Sequence, residues 1–171
     1  MIYHFRITSP ESRNFQLETE MDGEHTFYEF HLIIQKSMGY ESHQLASFFL
    51  PDIQGKKEKE VSLLDTGMNG GIYFIMQKTS LVSLLAFDHK QLFYTYDFIN
   101  DRSLNIELTG IVMERNLREP LVTLKQGDTP VQVYEEESYV PESAKLHEEE
   151  VLMDFGILDD YTELFGEMED F

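Results

Sequence analysis

The chain has 171 residues, 42% of them apolar, and a net charge of −19 at neutral pH. That length fits one domain with an appendage, and 13 Phe with 9 Tyr supply enough apolar surface for a sizeable core. The absence of Cys excludes disulfides, zinc–thiolate sites, iron–sulfur clusters and a Cys nucleophile, and it fits a reducing cytoplasm. The acidic balance opposes direct contact with nucleic acid or an anionic membrane, because phosphate recognition needs clustered Lys and Arg. The basic cluster Lys56, Lys57 and Lys59 is diluted by Glu58 and Glu60. The first residues lack a secretory pattern, and no apolar run reaches bilayer length.

The elements follow in chain order. Residues 2–8 are β-rich, and 14–20 alternate with Phe15, Leu17 and Thr19 on one face, which predicts an antiparallel hairpin. Asp22-Gly23 signals a turn. Thr26 and Glu29 have capping-box spacing ahead of a helix over about 26–38, and Gly39 is placed to end it. Phe27, Phe30, His31, Ile34 and Met38 fall on one face of that helix. A strand is expected over 44–50, stopped by Pro51, then an exposed turn at 56–60 and a short strand at 60–64. Asn69-Gly70-Gly71 reads as a loop, 72–77 as a strand, and Thr79 or Ser80 as the cap of a short helix through Leu85. Residues 91–98 and 104–113 read as a hairpin, the second strand alternating at Leu104, Ile106 and Leu108. Residues 121–124 and 131–134 are expected to add edge strands.

Charge is unevenly spread. Residues 135–171 hold 14 of the 32 acids and one base, Lys145, a net of −13. Residues 1–134 hold 18 acids and 12 bases, a net of −6. We therefore expect an α+β domain over 1–134 and an acidic linker with an amphipathic segment over 135–171. In that segment Leu158, Tyr161, Leu164, Phe165 and Met168 recur at helical spacing among acids. Three roles are open to it: a solubilising tail, a helix docked on the body, or an interaction segment for another protein. Its aromatics argue against solubilisation alone.

His31, His43 and Asp97 are the candidate metal site, since imidazole and carboxylate suit zinc, iron or manganese. The competing reading is a His at the core edge, bonded to a backbone carbonyl or to Asp97. Phe93, Tyr94, Tyr96 and Phe98 could form a stacking platform for bases or sugars, but positive charge beside them is lacking, so packing is the simpler role. No phosphate loop, nucleophile elbow or spaced catalytic triad is present in the sequence.

Two stretches, 26–52 and 92–111, resemble the plasmid pRiA4b ORF-3-like family. The first carries Phe30-His31, Gly39-Tyr40 and Glu41-Ser42-His43. The second carries Tyr96-Asp97-Phe98 and then Ile106, Glu107 and Leu108. The chain departs from the family pattern at Ile99-Asn100, where relatives have Gly-Asp, at Arg102 in place of Trp, and at Leu104 in place of His. The resemblance covers roughly residues 1–130. It implies an α+β fold in which a curved, mostly antiparallel sheet packs on the early helix, and a bacterial family associated with plasmids and mobile elements. It implies no established activity.

The combined expectation is a cytoplasmic, non-catalytic protein-binding module with no cofactor. Its partner would be another protein, reached through the sheet surface or through Leu158, Tyr161, Leu164, Phe165 and Met168. The alternative is a metal-dependent hydrolase using His31, His43 and Asp97. A third reading is an acidic mimic of nucleic acid that occupies a basic protein.

Overall fold

Alternation along the first strands decides which side of the sheet becomes the core. In β1 (Ile2–Thr8) residues Tyr3, Phe5 and Ile7 point inward, and in β2 (Gln16–Asp22) Leu17, Thr19 and Met21 do. The two strands pair antiparallel with Ile7 opposite Leu17. The computed structural model describes residues 1–67, 72–85 and 89–134. Within Met1–Val133, which form one compact unit, the further strands are β3 (Ser47–Pro51), β4 (Lys57–Ser62), β5 (Tyr73–Ile75), β6 (Gln91–Asp97), β7 (Arg102–Val112) and β8 (Leu121–Gln126). They form one eight-stranded sheet in the order β5-β4-β3-β6-β7-β1-β2-β8. Only the β4–β5 pairing is parallel among the described residues. The architecture is α+β with a mixed sheet.

Helix α1 (Phe27–Met38) covers the inner face. The Thr26 hydroxyl accepts from the Glu29 N–H (3.2 Å), and the Glu29 carboxylate accepts from the Thr26 N–H (2.7 Å). Two of the helix's orphan donors are thereby satisfied. Gly39 ends it in the left-handed region at φ +68°. Phe27, Phe30, His31, Ile34 and Met38 are all buried, together with Gln35. A run of rings joins helix to sheet: Phe5 to Phe30 at 4.6 Å, Phe30 to Phe48 at 5.2 Å, and Phe48 to Tyr94 at 5.0 Å between centroids. Beneath them, register carries apolar residues across the strands, from Val61 to Phe48 to Tyr94 to Leu104.

Several boundaries differ from expectation. β4 begins at Lys57, where an exposed turn was expected, because Leu50 pairs with Lys59 and Pro51 with Lys57. The expected strand over 72–77 shortens to β5, and Met76–Lys78 tighten into a 3-10 turn. Helix α2 (Leu81–Leu84) starts after Ser80, but the Ser80 side chain makes no capping bond and the Thr79 hydroxyl donates to the Ile75 carbonyl instead. Residues 131–134 form no strand. Residues 69–71 lie outside the described residues.

Both sheet edges are blunted. β5 is three residues long. β8 carries a bulge, since Leu124 pairs with Glu18 and Val122 with Thr19, and Lys125 follows. After β8, Gly127 takes φ +79°, and a Cβ there would lie 1.9 Å from the Asn14 carbonyl oxygen. Only glycine fits that crossing over the β1–β2 loop.

Phe30 touches both Phe5 and Phe48, so Phe30→Ala should cost about 3–5 kcal/mol of unfolding free energy. Leu32→Ala on the exposed side of α1 should change stability by about 0.5 kcal/mol or less. Urea titration of both variants checks this.

Candidate functional site

The two sequence stretches that carry the family motifs meet at one end of the sheet, around Arg102. Arg102 opens β7 on the same face as Leu104, Ile106 and Leu108, and it is 5% exposed. Burying a guanidinium costs several kcal/mol unless it is paired and hydrogen-bonded. Here Nε and Nη2 reach the two oxygens of Glu11 at 2.6 and 2.7 Å, a bidentate pair. Nη1 lies 3.5 Å from the Asp97 carboxylate. The guanidinium also stands over the Tyr96 ring at 4.9 Å, and that ring contacts Tyr40 at 5.4 Å.

The remaining donors grip main chain. Arg102 Nη2 donates to the Val131 carbonyl (2.6 Å) and Nη1 to the Gln132 carbonyl (3.2 Å). The Tyr40 hydroxyl donates to the Pro130 carbonyl (2.7 Å). The Gln132 side chain closes the set: its oxygen accepts from the Glu41 N–H (2.7 Å) and its nitrogen donates to the Glu41 carbonyl (2.9 Å). Three successive carbonyls, 130 to 132, are thus held by side chains of the body. Residues 131 and 132 join no ladder, and their carbonyls are taken by Arg102 instead.

Electrostatics follow from these contacts. Asp97 sits at the end of β6, where the Asn100 side chain and then the Asn100 and Ile99 N–H groups donate to it. The Asn100 amide is the largest influence; burial pushes the Asp97 carboxyl up, but the hydrogen bonds together hold it below its ordinary value. Burial, and then the neighbouring Tyr96, push the Tyr40 hydroxyl up, so it stays a donor.

His31, His43 and Asp97 are not brought together. His31 lies in the core under α1, with Nδ1 2.9 Å from the Tyr94 hydroxyl. Gln35 Nε2 donates to that same oxygen (2.8 Å), so the Tyr94 hydroxyl is shared between the imidazole and the amide. Burial pushes the His31 pKa down to about 4. Its partner is Tyr94, not Asp97 or a backbone carbonyl as expected. His43 is exposed and sits 3.2 Å from the Glu41 carboxylate. Among the described residues no group of three or more His, Asp or Glu is placed to hold a metal ion.

The proposed aromatic platform also disperses. Tyr94 and Tyr96 are buried, while Phe93 stands on the outer face beside Phe49 with the Lys57 ammonium 6.0 Å and 5.0 Å from their ring centres. Leu158, Tyr161, Leu164, Phe165 and Met168 lie outside the described residues. The residues that sequence reasoning missed are Glu11, Gln132 and, as a functional group, Arg102. The signal for Arg102 was its parity with Leu104, Ile106 and Leu108.

A mixed sheet sealed by one early helix defines a class of α+β protein. Residues 7–148 match the family described as plasmid pRiA4b ORF-3-like protein, and the chain belongs to that family. No curated protein matches. Among solved structures it is similar to a protein of unknown function, MM3350 from Methanosarcina mazei Go1. Identity is 18% and the TM-score 0.60, over 75% of this chain and 71% of that one. At this identity the likeness shows the fold alone.

Arg102→Leu would leave the Glu11 carboxylate without its guanidinium and should cost about 3 kcal/mol, with faster proteolytic cleavage near 130–133. Urea titration and limited proteolysis read the two effects. For His31, the folded-state pKa lies below its ordinary 6.5, so the unfolded chain takes up the proton first as pH falls. Its contribution is fully present above about pH 6.5 and is lost on acidification to about pH 4, amounting to about 3 kcal/mol at ~1.36 kcal/mol per unit. The His31→Gln variant should show a flatter acid limb over that window when stability is followed against pH.

Proposed function

We propose that this protein is a non-catalytic protein-binding module. One observation carries the reading: a buried arginine and a tyrosine hold three successive carbonyls, 130 to 132, just before the acidic stretch that begins at Glu135. Side-chain donors on main-chain carbonyls grip a chain irrespective of its side chains. That arrangement suits a body that fixes the root of an acidic segment and offers it to a partner. Leu158, Tyr161, Leu164, Phe165 and Met168 supply the apolar anchors in this reading, and the surrounding acids select a basic protein. A cysteine-free acidic chain is compatible with a cytoplasmic setting. Among the described residues, no helix is long and apolar enough to cross a membrane.

The metal-hydrolase alternative has less support, because it needs His31, His43 and Asp97 at one ion. To ligate a metal through Nδ1, His31 would have to leave the core and break its bond to Tyr94. A mimic of nucleic acid and a groove-binding segment differ in salt response. Charge-only recognition weakens steeply with ionic strength, whereas apolar anchoring depends on it weakly.

The double variant Tyr161→Ala/Phe165→Ala should lose partners that the intact chain captures by affinity pull-down at moderate salt. An unchanged capture profile and an unchanged melting temperature together would remove these anchors from the reading. Capture that survives the double variant but collapses with added salt would favour the mimic.

A further inference from the structure

Helix α1 covers the inner face of the sheet, and strand register builds the outer face. Across β1, β7 and β6 one outward row is Thr8, Asn105 and Phe93, and the next is Arg6, Glu107 and Gln91. Leu92 and Ile106, between these rows, turn to the core. Arg6, Thr8, Gln91, Phe93, Asn105 and Glu107 together line one open hollow of about 390 Å³. That volume lies in the range of small-molecule sites, roughly 300–1,000 Å³.

The polar groups of this hollow are not used by the fold. Gln91, Asn105 and Glu107 are exposed, and their side chains have no hydrogen-bond or ion-pair partner among the described residues. Arg6 is tied through Nε to Glu18 at 3.1 Å, and that pair adds no net charge beside the hollow. The outward pair on its other side is occupied. Thr95 and Ser103 bond each other and the Lys57 ammonium, which pairs in turn with Asp101. Free donors and acceptors therefore collect beside Phe93, which is half-buried and keeps part of its ring open to solvent.

Two amides, a hydroxyl and one free carboxylate around an aromatic ring define a ligand chemistry. Each amide both donates and accepts, and the carboxylate accepts. Adjacent hydroxyls of a sugar ring need that mixture, because each donates one hydrogen bond and accepts others. The C–H face of a sugar ring rests on an aromatic side chain. Glu107 and Glu18 oppose an anion, which argues against a nucleotide. A single free carboxylate is too few for a cation, and the polar lining suits no apolar helix. We propose that this hollow binds a neutral saccharide, with Phe93 as its platform and Gln91, Asn105 and Glu107 as its hydroxyl partners. The site goes beyond the protein-binding reading, which rests on 130–132 and on residues after Glu135.

The probes are neutral trisaccharides of glucose, of xylose and of N-acetylglucosamine, titrated at millimolar concentration into the full-length chain. Calorimetry and saturation-transfer NMR read binding. At least one probe should bind, with its ring C–H protons receiving saturation from aromatic protons. Gln91→Ala/Asn105→Ala should weaken binding on the order of tenfold with an unchanged melting temperature, because both side chains are exposed and unpaired. Phe93→Leu, which keeps an apolar side chain, should weaken it as well. Added salt should change the affinity little, since the ligand carries no charge. Equal affinity of the intact chain and the Gln91→Ala/Asn105→Ala variant would overturn the site. So would binding of none of the three probes, or binding that collapses as salt is added. Tyr161→Ala/Phe165→Ala should leave saccharide binding intact, so a failure of the protein-binding reading is seen separately.

Discussion

Arg102 is the constraint on which this end of the molecule depends. A guanidinium at 5% exposure has few alternatives to its present partners. It must keep Glu11 close, so it fixes the β1–β2 loop; it keeps Asp97 close, so it fixes the β6–β7 turn. Its remaining donors need acceptors in the same dry space, and the carbonyls of 131 and 132 provide them. Three stretches far apart in sequence therefore share one charge. A neutral group of similar size would pack there at lower desolvation cost, but it would not specify which backbone atoms lie against it. Where relatives are expected to carry Trp, this chain carries a residue that recognises main chain.

A second polar group is buried under α1 and does the opposite. His31 and Gln35 place two polar side chains on the face of the helix that otherwise holds Phe27, Phe30 and Ile34. Both converge on the Tyr94 hydroxyl, which accepts from the Gln35 amide and shares a hydrogen bond with the His31 ring. Because burial keeps His31 neutral, no charge is stranded, and the bonds fix how the helix sits along β6. A longitudinal slip of α1 by one residue would break both bonds and separate Phe30 from Phe5 and Phe48. Register in this core is thus set twice, by ring contacts and by one hydroxyl.

The sequence makes α1 legible because its ends are chemical rather than statistical: Thr26 with Glu29 at one end and Gly39 at the other. β1, β2, β6 and β7 are legible through alternation of apolar residues. β4 is not, because Lys57, Glu58, Lys59 and Glu60 look like a solvated turn. Its pairing is carried by Val61 and by Lys57, whose ammonium stands over the Phe49 and Phe93 rings and reaches Thr95, Asp101 and Ser103. Residues 131–134 misled in the other direction. Val131, Gln132, Val133 and Tyr134 alternate like a strand, yet the carbonyls of Val131 and Gln132 belong to Arg102, and a lone Arg in a strand is ordinarily read as surface. His31 and Asp97 belong to the two motif stretches and are close in neither role nor partners. The two motif stretches meet around Arg102, but there Asp97 turns to Asn100 and Arg102 while His31 turns to Tyr94.

Charge and hydrogen bonding act over different ranges at that end. The net charge of −19 sets a field that is screened within about 10 Å at moderate salt. The Arg102 contacts act at hydrogen-bond distance in a nearly dry space, where added salt screens them little. Replacing Arg102 by a neutral residue would therefore do two separate things: it would release the carbonyls of 131 and 132, and it would leave the body one unit more negative. The first change is local and insensitive to salt; the second is long-ranged and fades as salt is added.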